Sequence, residues 1–448
     1  MSGFKDHLRH VEGLELILDS KNLTFTNQTP RCVLSGADGQ GGLCKVPIDD
    51  SLFSKHLLFL GNIGTGKTNA ISQIISQIKS QMTDQDVMVI FDTKGDFYNR
   101  FYAEGDIVIS NDTASFAGTG DYWNIFSEIT IDNTAQSIKE NALEIANNLF
   151  ADKVKNTNQP FFPQAAKDIL ATFLTICAED KSVSAMLDNQ HLIEFFENST
   201  REDILEFFQK NEKNRILSYI SKDASQQADG VLSELHQLLS EIFIGDFRQV
   251  GNLSIRDLIR QKGGKTIFVE YDITIGSVLA PIYRLLFDLA IKEGMGKHRS
   301  HGNVWFVIDE FRLIPNLQHI DNGINFGRSQ GLKFILGIQN IPQVHKEYGE
   351  SMAESLLSGL STTISFRVDD IKSRNFIQNR YGSSLKKLIF RKSGQVTQGQ
   401  ITEEVRQAKV IEDWDISRLK TGEAIIGIPN INPFLFRFDE FWPAISHT

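Results

Sequence analysis

Residues 56–68 read His-Leu-Leu-Phe-Leu-Gly-Asn-Ile-Gly-Thr-Gly-Lys-Thr, and this stretch decides the fold. The apolar run His56–Leu60 is typical of a buried strand, and the segment from Asn69 to Ile78 has helical periodicity. Between them, Gly61–Thr68 is a complete Walker A sequence. Its glycines let successive backbone N–H groups face a phosphate, and the following helix adds its positive N-terminal end. The stretch predicts a nucleotide-binding loop; the alternative is a Gly-rich turn that only resembles one.

Two side chains in this loop have individual roles. Lys67 would reach the β- and γ-phosphates and assist catalysis, and the Thr68 hydroxyl would hold Mg²⁺. The predicted cofactors are therefore ATP and Mg²⁺. The residues predicted to contact the ATP phosphates are Gly61, Asn62, Ile63, Gly64, Thr65, Gly66, Lys67, Thr68 and Asn69.

Composition limits the class of protein. With 448 residues, 41% of them hydrophobic and 23% charged, the chain has the make-up of a soluble globular protein with two or three folding units. No apolar stretch approaches the roughly 18 residues needed to cross a bilayer, and the N-terminus does not resemble a signal peptide. The three cysteines are far apart, so neither a disulfide framework nor a zinc site is expected. These features indicate a cytoplasmic protein.

The formal net charge of −10 bears on partners. It argues against a protein that binds nucleic acid over its whole surface, but it leaves room for a local basic groove or a ring pore. Lys386-Lys387 with Arg391-Lys392 is the basic run that could touch DNA phosphates, and a solvated surface is the alternative for it.

The pattern of elements predicts an α/β fold with a P-loop, RecA-like parallel sheet and an inserted all-α domain. Buried strands at Val87–Asp92 and Ile107–Ile109 follow the Walker A helix, and Ser35–Gly42 reads as a turn-rich loop. From about residue 131 to 248 the chain reads as helices only. Later strands are predicted at Thr362–Phe366, Leu388–Arg391, Ala424–Ile428 and Phe434–Phe438, with a hairpin turn at Ser393-Gly394.

Four segments follow from this pattern. Residues 1–50 are N-terminal strands joined to the nucleotide-binding domain, and 51–130 are its first part. Residues 131–250 form the all-α domain, and 251–448 are the second part of the nucleotide-binding domain.

A second apolar strand ends in two carboxylates. Val304–Ile308 is followed by Asp309 and Glu310, which is the Walker B pattern. In a parallel sheet these carboxylates would lie beside the phosphate loop. Asp309 would hold Mg²⁺, and Glu310 would orient and polarise the attacking water. The alternative is a buried strand that ends in an exposed acidic turn.

Other polar residues at strand and helix ends are weaker candidates on their own. Gln339 follows a strand and could bond the γ-phosphate or the water, or could simply end the strand. Arg328 could reach a neighbouring subunit's site in a ring, or could be a surface or helix-capping arginine. Asp92, Lys94 and Asp96 form a charged turn at a strand end, where salt bridging is favoured and contact with phosphate or nucleic acid is the alternative.

Five segments together carry a resemblance to a known family. On these motifs the chain resembles the type IV coupling proteins of bacterial conjugation and type IV secretion, within the FtsK and HerA group of ring-shaped DNA-pumping ATPases. The segments are Gly61–Thr68; Phe91–Phe97; Trp123–Phe126, with Ile125 where the family has proline; Ile308–Phe311; and Gly327–Leu332 continuing to Gly337–Gln343.

This resemblance implies roles that the residues alone leave open. It makes Arg328 the arginine that acts in trans and Gln339 the phosphate sensor, and it implies a homohexameric ring. It also places the helical block where the family has an all-α domain. Family members usually begin with transmembrane helices, and this sequence has none. We therefore expect a soluble form, peripheral at the inner membrane only through partners.

The implied function is a ring ATPase that moves DNA, single- or double-stranded, or delivers a relaxase-bound nucleoprotein to a membrane-embedded secretion channel. One alternative is a recruitment platform whose ATP state switches the binding of protein cargo. Another is a HerA-like ring ATPase in a DNA-processing or antiphage complex, with the nuclease supplied by a partner.

Overall fold

The computed structural model describes residues 8–25, 29–116, 121–180, 187–221, 225–296, 302–391 and 401–442. The chain divides into two compact units. The first comprises Met1–Gln81, Phe306–Arg312 and Lys333–Thr448, and the second comprises Met82–Trp305 and Leu313–Leu332.

The strands and helices are numbered in chain order. The strands are β1 (Leu8–Glu12), β2 (Cys32–Asp38), β3 (Leu43–Ile48), β4 (Leu57–Leu60), β5 (Val87–Asp92), β6 (Ile107–Ile109), β7 (Lys265–Glu270), β8 (Val304–Ile308), β9 (Leu332–Ile338), β10 (Thr362–Ser365), β11 (Ser383–Arg391), β12 (Ile401–Lys409), β13 (Glu423–Gly427) and β14 (Phe434–Phe438). The helices are α1 (Asp50–Phe53), α2 (Lys67–Lys79), α3 (Asp96–Phe101), α4 (Ile125–Ile129), α5 (Ala135–Leu149), α6 (Ala151–Lys155), α7 (Phe161–Glu179), α8 (Asn189–Asn198), α9 (Arg201–Lys210), α10 (Asn214–Ile220), α11 (Ser225–Ile242), α12 (Ile255–Gln261), α13 (Gly276–Gly294), α14 (Ile320–Phe326), α15 (Ile341–Tyr348), α16 (Glu350–Gly359), α17 (Ile371–Tyr381) and α18 (Asp413–Ser417).

The first unit is built on a mixed sheet with strand order β3-β2-β14-β13-β10-β4-β9, with β8 next to β9. Strand β4 pairs in parallel with β10 and with β9, whereas β10, β13, β14, β2 and β3 pair antiparallel in succession. Every residue of β4 and β9 is buried, as expected for central parallel strands. A separate three-stranded antiparallel sheet has the order β1-β11-β12.

The second unit contains the parallel strands β5, β7 and β6, with β7 in the middle. Within the described residues, the chain between β6 and β7 forms helices and contributes no strand to a sheet. The helical reading of this stretch therefore agrees with the elements observed, while the domain boundaries at residues 131 and 250 stay predictions. Helix α13 is buried over most of its length and packs against α5, α11 and α12. Every helix in the described part of the chain is too short or too polar to span a bilayer.

Two local predictions differ from the structure, and a third lies outside the described residues. Residues 35–38 of the expected loop Ser35–Gly42 belong to β2, which runs to Asp38. Position 36 requires glycine, because a Cβ there would lie 2.1 Å from the Arg437 carbonyl oxygen of β14. Gly36 therefore allows two strands to approach closely and does not form a turn. Strand β11 begins at Ser383 instead of residue 388, and the expected turn at Ser393-Gly394 lies outside the described residues.

Candidate nucleotide-binding site

The predicted phosphate loop joins β4 to α2 in the first unit. Gly64 has φ +74° and Gly66 has φ +109°, conformations that favour glycine. A Cβ on Gly66 would also lie 3.1 Å from the backbone of Gly422, so this position needs glycine for two reasons. Helix α2 then begins at Lys67 with no side-chain cap, which leaves its first N–H groups for a ligand.

Side chains within the loop bond to its own backbone. Lys67 is 7% exposed, and its ammonium donates to the carbonyl oxygens of Gly61, at 2.5 Å, and Asn62, at 3.0 Å. The Thr65 hydroxyl donates to the Asn62 carbonyl oxygen at 2.7 Å. Ile63, at the tip of the loop, is 70% exposed. The lysine charge is thus held inside the curl of the loop, where a bound phosphate chain would meet it.

The two predicted magnesium ligands lie against each other. The Thr68 hydroxyl donates to Asp309 Oδ2 at 2.6 Å, across 241 residues of sequence. The backbone of Asp309 packs closely against Gly337 of β9. A Cβ at position 337 would lie only 2.1 Å from the Asp309 carbonyl oxygen, so this position requires glycine. A hydroxyl and a carboxylate are hard oxygen ligands, so this pair suits Mg²⁺.

The predicted catalytic carboxylate is paired with the predicted sensor. Gln339 Nε2 donates to Glu310 Oε2 at 2.6 Å, and Arg312 Nε lies 3.3 Å from the other carboxylate oxygen, Oε1. Because β8 and β9 are neighbours, their C-terminal ends place both side chains at one edge of the sheet. The sequence motifs predicted that Gln339 would contact phosphate or water; they did not indicate this direct bond to Glu310.

Backbone from later in the sequence supports the loop. The Gly422 N–H donates to the Thr65 carbonyl oxygen at 2.9 Å, and the Thr421 hydroxyl lies 3.4 Å from the Gly64 carbonyl oxygen. The Asn62 N–H donates to the Arg367 carbonyl oxygen at 3.0 Å. The Asn62 side chain also donates to Asp369, and the Asn69 side chain bonds the backbone of Asp439 and Phe441. Sequence reasoning missed these partners because no local pattern links residues about 300 or more positions apart.

Arg328 lies in the second unit. It is exposed, on a short 3₁₀ turn that follows α14. The start of α14 is anchored to α13, because buried Asp288 accepts the N–H groups of Gln318, at 3.1 Å, and His319, at 3.0 Å. Arg328 is therefore an exposed residue on a turn that follows an anchored helix.

Asp92 and Lys94 are also in the second unit. Asp92 is 1% exposed and accepts the N–H groups of Phe97 at 2.7 Å and Tyr98 at 2.8 Å, at the start of α3, and that of Lys94 at 3.2 Å. Burial raises the pKa of this carboxyl group above its ordinary value, despite these bonds. The favoured interpretation of Asp92 as a salt-bridging residue is wrong, since its partners are backbone amides. Lys94 is exposed.

The Trp-Asn segment of the family resemblance has a structural position in the second unit. The Trp123 ring N–H donates to fully buried Glu128 at 2.9 Å, and Glu128 also accepts from the Ser254 hydroxyl at 2.8 Å. The Asn124 amide donates to the carbonyl oxygens of Leu187, at 2.9 Å, and Gly251, at 2.8 Å. These bonds tie the beginning of the helical stretch to its end.

The basic run is only partly described. Lys386 and Lys387 lie on β11, and the Lys386 ammonium donates to the Lys409 carbonyl oxygen at 2.6 Å, with Glu412 at 3.8 Å. Lys392 and the Arg391 side chain lie outside what the structure describes. The described part of this run is therefore occupied by contacts within the chain.

Comparison with known proteins places these features in context. The family model for the type IV secretion-system coupling protein DNA-binding domain matches residues 42–434. The coupling protein TraD of Escherichia coli (strain K12) is 23% identical over 365 residues, which are 78% of this chain and 46% of TraD. The chain therefore spans about half the length of this curated relative.

Solved structures resemble the chain over nearly its whole length. Plasmid coupling protein TrwB in complex with a non-hydrolysable GTP analogue has a TM-score of 0.74 at 18% identity, covering 100% of this chain and 98% of that one. TrwB in complex with ADP and Mg²⁺ has a TM-score of 0.71 at 19% identity, covering 97% and 96%. VirB4 of Thermoanaerobacter pseudethanolicus has a TM-score of 0.57 at 12% identity, covering 93% and 99%. These likenesses confirm the predicted P-loop α/β fold.

Proposed function

The chain belongs to the family of type IV secretion-system coupling protein DNA-binding domains, and on that premise we propose that it is an Mg²⁺-dependent ATPase. In this proposal, hydrolysis drives the movement of DNA, or the delivery of a nucleoprotein substrate, to a type IV secretion apparatus. The relatives TraD and TrwB carry the description of coupling proteins, and TrwB has been solved with nucleotides, which supports the proposal.

The observation that carries the proposal is the joining of two motifs from distant parts of the sequence. Thr68 of Walker A contacts Asp309 of Walker B at 2.6 Å, and the next carboxylate, Glu310, contacts Gln339 at 2.6 Å. A Gly-rich turn that binds no ligand would not be expected to lie beside two carboxylates and an amide that contact one another. The alternative readings of Walker A as a plain turn and of Walker B as an exposed acidic turn are therefore disfavoured.

Each side chain has a defined task in this scheme. The loop N–H groups and Lys67 hold the phosphates, and Thr68 and Asp309 hold Mg²⁺. A magnesium ion held there would supply neutralisation of the phosphate charge. Glu310 orients and polarises the attacking water once Gln339 turns from the carboxylate to the phosphate or the water. Phosphoryl transfer depends mainly on such positioning and charge stabilisation, so few residues suffice.

The family also leads us to propose a homohexameric ring in which Arg328 completes the nucleotide site of the adjacent subunit. DNA would pass through the ring, and a relaxase-bound cargo and a membrane-embedded channel would be partners. Arg328 suits this role because it is exposed at the end of an anchored helix. In this scheme the chain acts in the cytoplasm and reaches the inner membrane through its partners.

A second candidate function is an ATP-switched platform for protein cargo. The net charge of −10 favours it, because an acidic protein has weak general affinity for DNA phosphates. In this case hydrolysis would be slow and indifferent to DNA.

Steady-state ATP hydrolysis by the purified chain, measured without DNA, with single-stranded DNA and with double-stranded DNA, tests both candidates. The Lys67→Ala variant is the control for contaminating ATPases. Stimulation by either form of DNA supports the translocase, and hydrolysis that ignores both supports the platform. Absence of both hydrolysis and ATP binding in the unsubstituted chain would overturn the proposal.

A further inference from the structure

The C-terminal segment Asp439–Trp442 crosses the first turn of α2, beside the phosphate loop. Asn69 attaches it with both ends of its amide: Nδ2 donates to the Asp439 carbonyl oxygen at 2.9 Å, and Oδ1 accepts the Phe441 N–H at 2.7 Å. Gln73, one turn further along α2, also donates to the Asp439 carbonyl oxygen at 2.9 Å. The segment is thus fixed to α2, the helix that begins at the phosphate loop. It is therefore held next to the proposed nucleotide site.

A triphosphate bound to this loop can run along it in only one direction. Its terminal phosphate belongs with Asp309 and Glu310, where the metal and water residues lie. Its first phosphate belongs at the opposite end, over the N–H groups at the start of α2, close to Asn69. The nucleoside therefore leaves the loop on the side away from Glu310, where Asn69 meets the C-terminal segment.

Two features are joined to the loop or to the first turn of its helix. The tip between α18 and β13 contacts the loop directly, because the Gly422 N–H donates to the Thr65 carbonyl oxygen at 2.9 Å. Trp442 ends the attached segment, and its indole is 77% exposed although Phe441 before it is partly buried. An exposed indole on a fixed backbone beside a phosphate site is suited to stack on a planar ligand.

We propose that the base of a nucleoside triphosphate stacks on the Trp442 indole, with Asn69 holding the C-terminal segment in place. This inference rests on the proposed function and adds the part of the site that recognises the nucleoside. Stacking of a base on an aromatic ring commonly changes affinity by about tenfold.

Binding to the full chain tests the inference, with N-methylanthraniloyl-ATP as the fluorescent probe and unlabelled ATP and tripolyphosphate as competitors. Trp442→Ala is expected to weaken ATP about tenfold and to leave tripolyphosphate unchanged, since tripolyphosphate has no base to stack. Trp442→Phe is expected to keep most of the affinity for ATP but to lose most energy transfer from tryptophan to the probe. Trp414→Ala is the matched control, because Trp414 is a half-exposed indole that lines a separate cavity of about 730 Å³.

The outcomes separate this inference from the proposed function. Normal ATP affinity in Trp442→Ala overturns the inference alone. An equal loss for ATP and tripolyphosphate also overturns it, because Trp442 would then support the loop rather than the base. Failure of the unsubstituted chain to bind ATP would overturn the proposed function and this inference together.

Discussion

Two sets of carboxylates end parallel strands in this molecule, and they differ in their partners. After β8, Asp309 accepts from the Thr68 hydroxyl and Glu310 accepts from the Gln339 amide, so both bond to side chains of other elements. At the ends of β5 and β7, Asp92 and Glu270 are 1% and 4% exposed. Among the described residues, the donors to Asp92 are backbone amides, and Glu270 Oε1 has no hydrogen-bond partner. Strands β5 and β8 are both continuous apolar runs, whereas β7 begins with Lys265 and Thr266.

The difference in partners indicates which carboxylates at strand ends could take part in catalysis. A side-chain partner can turn away when a ligand arrives, at the cost of one hydrogen bond. The backbone donors around Asp92 form the first turn of α3, and they cannot leave unless that turn opens. A carboxylate with exchangeable side-chain partners is therefore a candidate for catalysis, and one held by the backbone of its own turn is structural.

The largest effect is expected from removing the negative charge after β8. Glu310→Gln should lower steady-state ATP hydrolysis by about 10³-fold, because the amide cannot polarise water, while N-methylanthraniloyl-ATP still binds. Glu270→Gln is the matched control, and its turnover should stay near that of the unsubstituted chain. Full turnover in Glu310→Gln would remove Glu310 from the mechanism, and an equal loss in Glu270→Gln would erase the contrast between the two sets.

The proposed action of Arg328 in trans extends the contrast to an assembly of several subunits. Arg328→Ala should lower hydrolysis by about 10²-fold through lost charge stabilisation. Mixing it with Glu310→Gln subunits should restore part of the activity, because some sites then combine an intact Glu310 with an intact Arg328 from a neighbour. The measurement is ATP hydrolysis by verified mixed assemblies. Mixtures no more active than the separate variants would contradict action in trans.

Next in size is the loss of the structural carboxylate. Asp92→Ala should destabilise the first turn of α3 by about 3 kcal/mol, since the buried N–H groups of Phe97 and Tyr98 lose their acceptor. Hydrogen exchange at these two amides measures the opening of the turn. Asp92→Asn is the control, because it keeps one acceptor oxygen and should cost less. Unchanged exchange in Asp92→Ala would show that the backbone bonds do not hold this turn.

Local signals in the sequence predicted much of the fold. The strands β5, β8 and β14 have the predicted bounds, because continuous or alternating apolar runs identify buried strands. The three-stranded sheet β1-β11-β12 was only partly predicted, since the sequence of β12, with Glu403, Glu404 and Arg406, is too polar to suggest a buried strand. Strand β1 pairs with β11, which is far from it in sequence. A local hydrophobic pattern cannot predict a pairing between such distant strands.

The site was predictable to the extent that its residues form short motifs. Lys67, Thr68, Asp309 and Glu310 lie in two such motifs, and their proximity follows from strands that share a sheet edge. The attachment of Phe441 to Asn69 has no such signature, because an amide that bonds a distant backbone looks like any other asparagine. The same holds for Asp92, whose capping role depends on the backbone turn at Gly95 (φ +69°).

The smallest effect concerns Glu270 and depends on pH. Burial, and then the charge of Asp92, raise the pKa of Glu270 from its ordinary 4.5 to about 9. The folded chain therefore keeps a proton that the unfolded chain releases, so Glu270 lowers stability increasingly as pH rises from 4.5 towards 9. Glutamine cannot titrate, so Glu270→Gln should gain about 2 kcal/mol in unfolding free energy relative to the unsubstituted chain between pH 5.5 and pH 7. Urea unfolding of both chains at these two pH values measures it. A difference that does not change with pH would mean that Glu270 is ionised in the fold, and it would contradict the raised pKa.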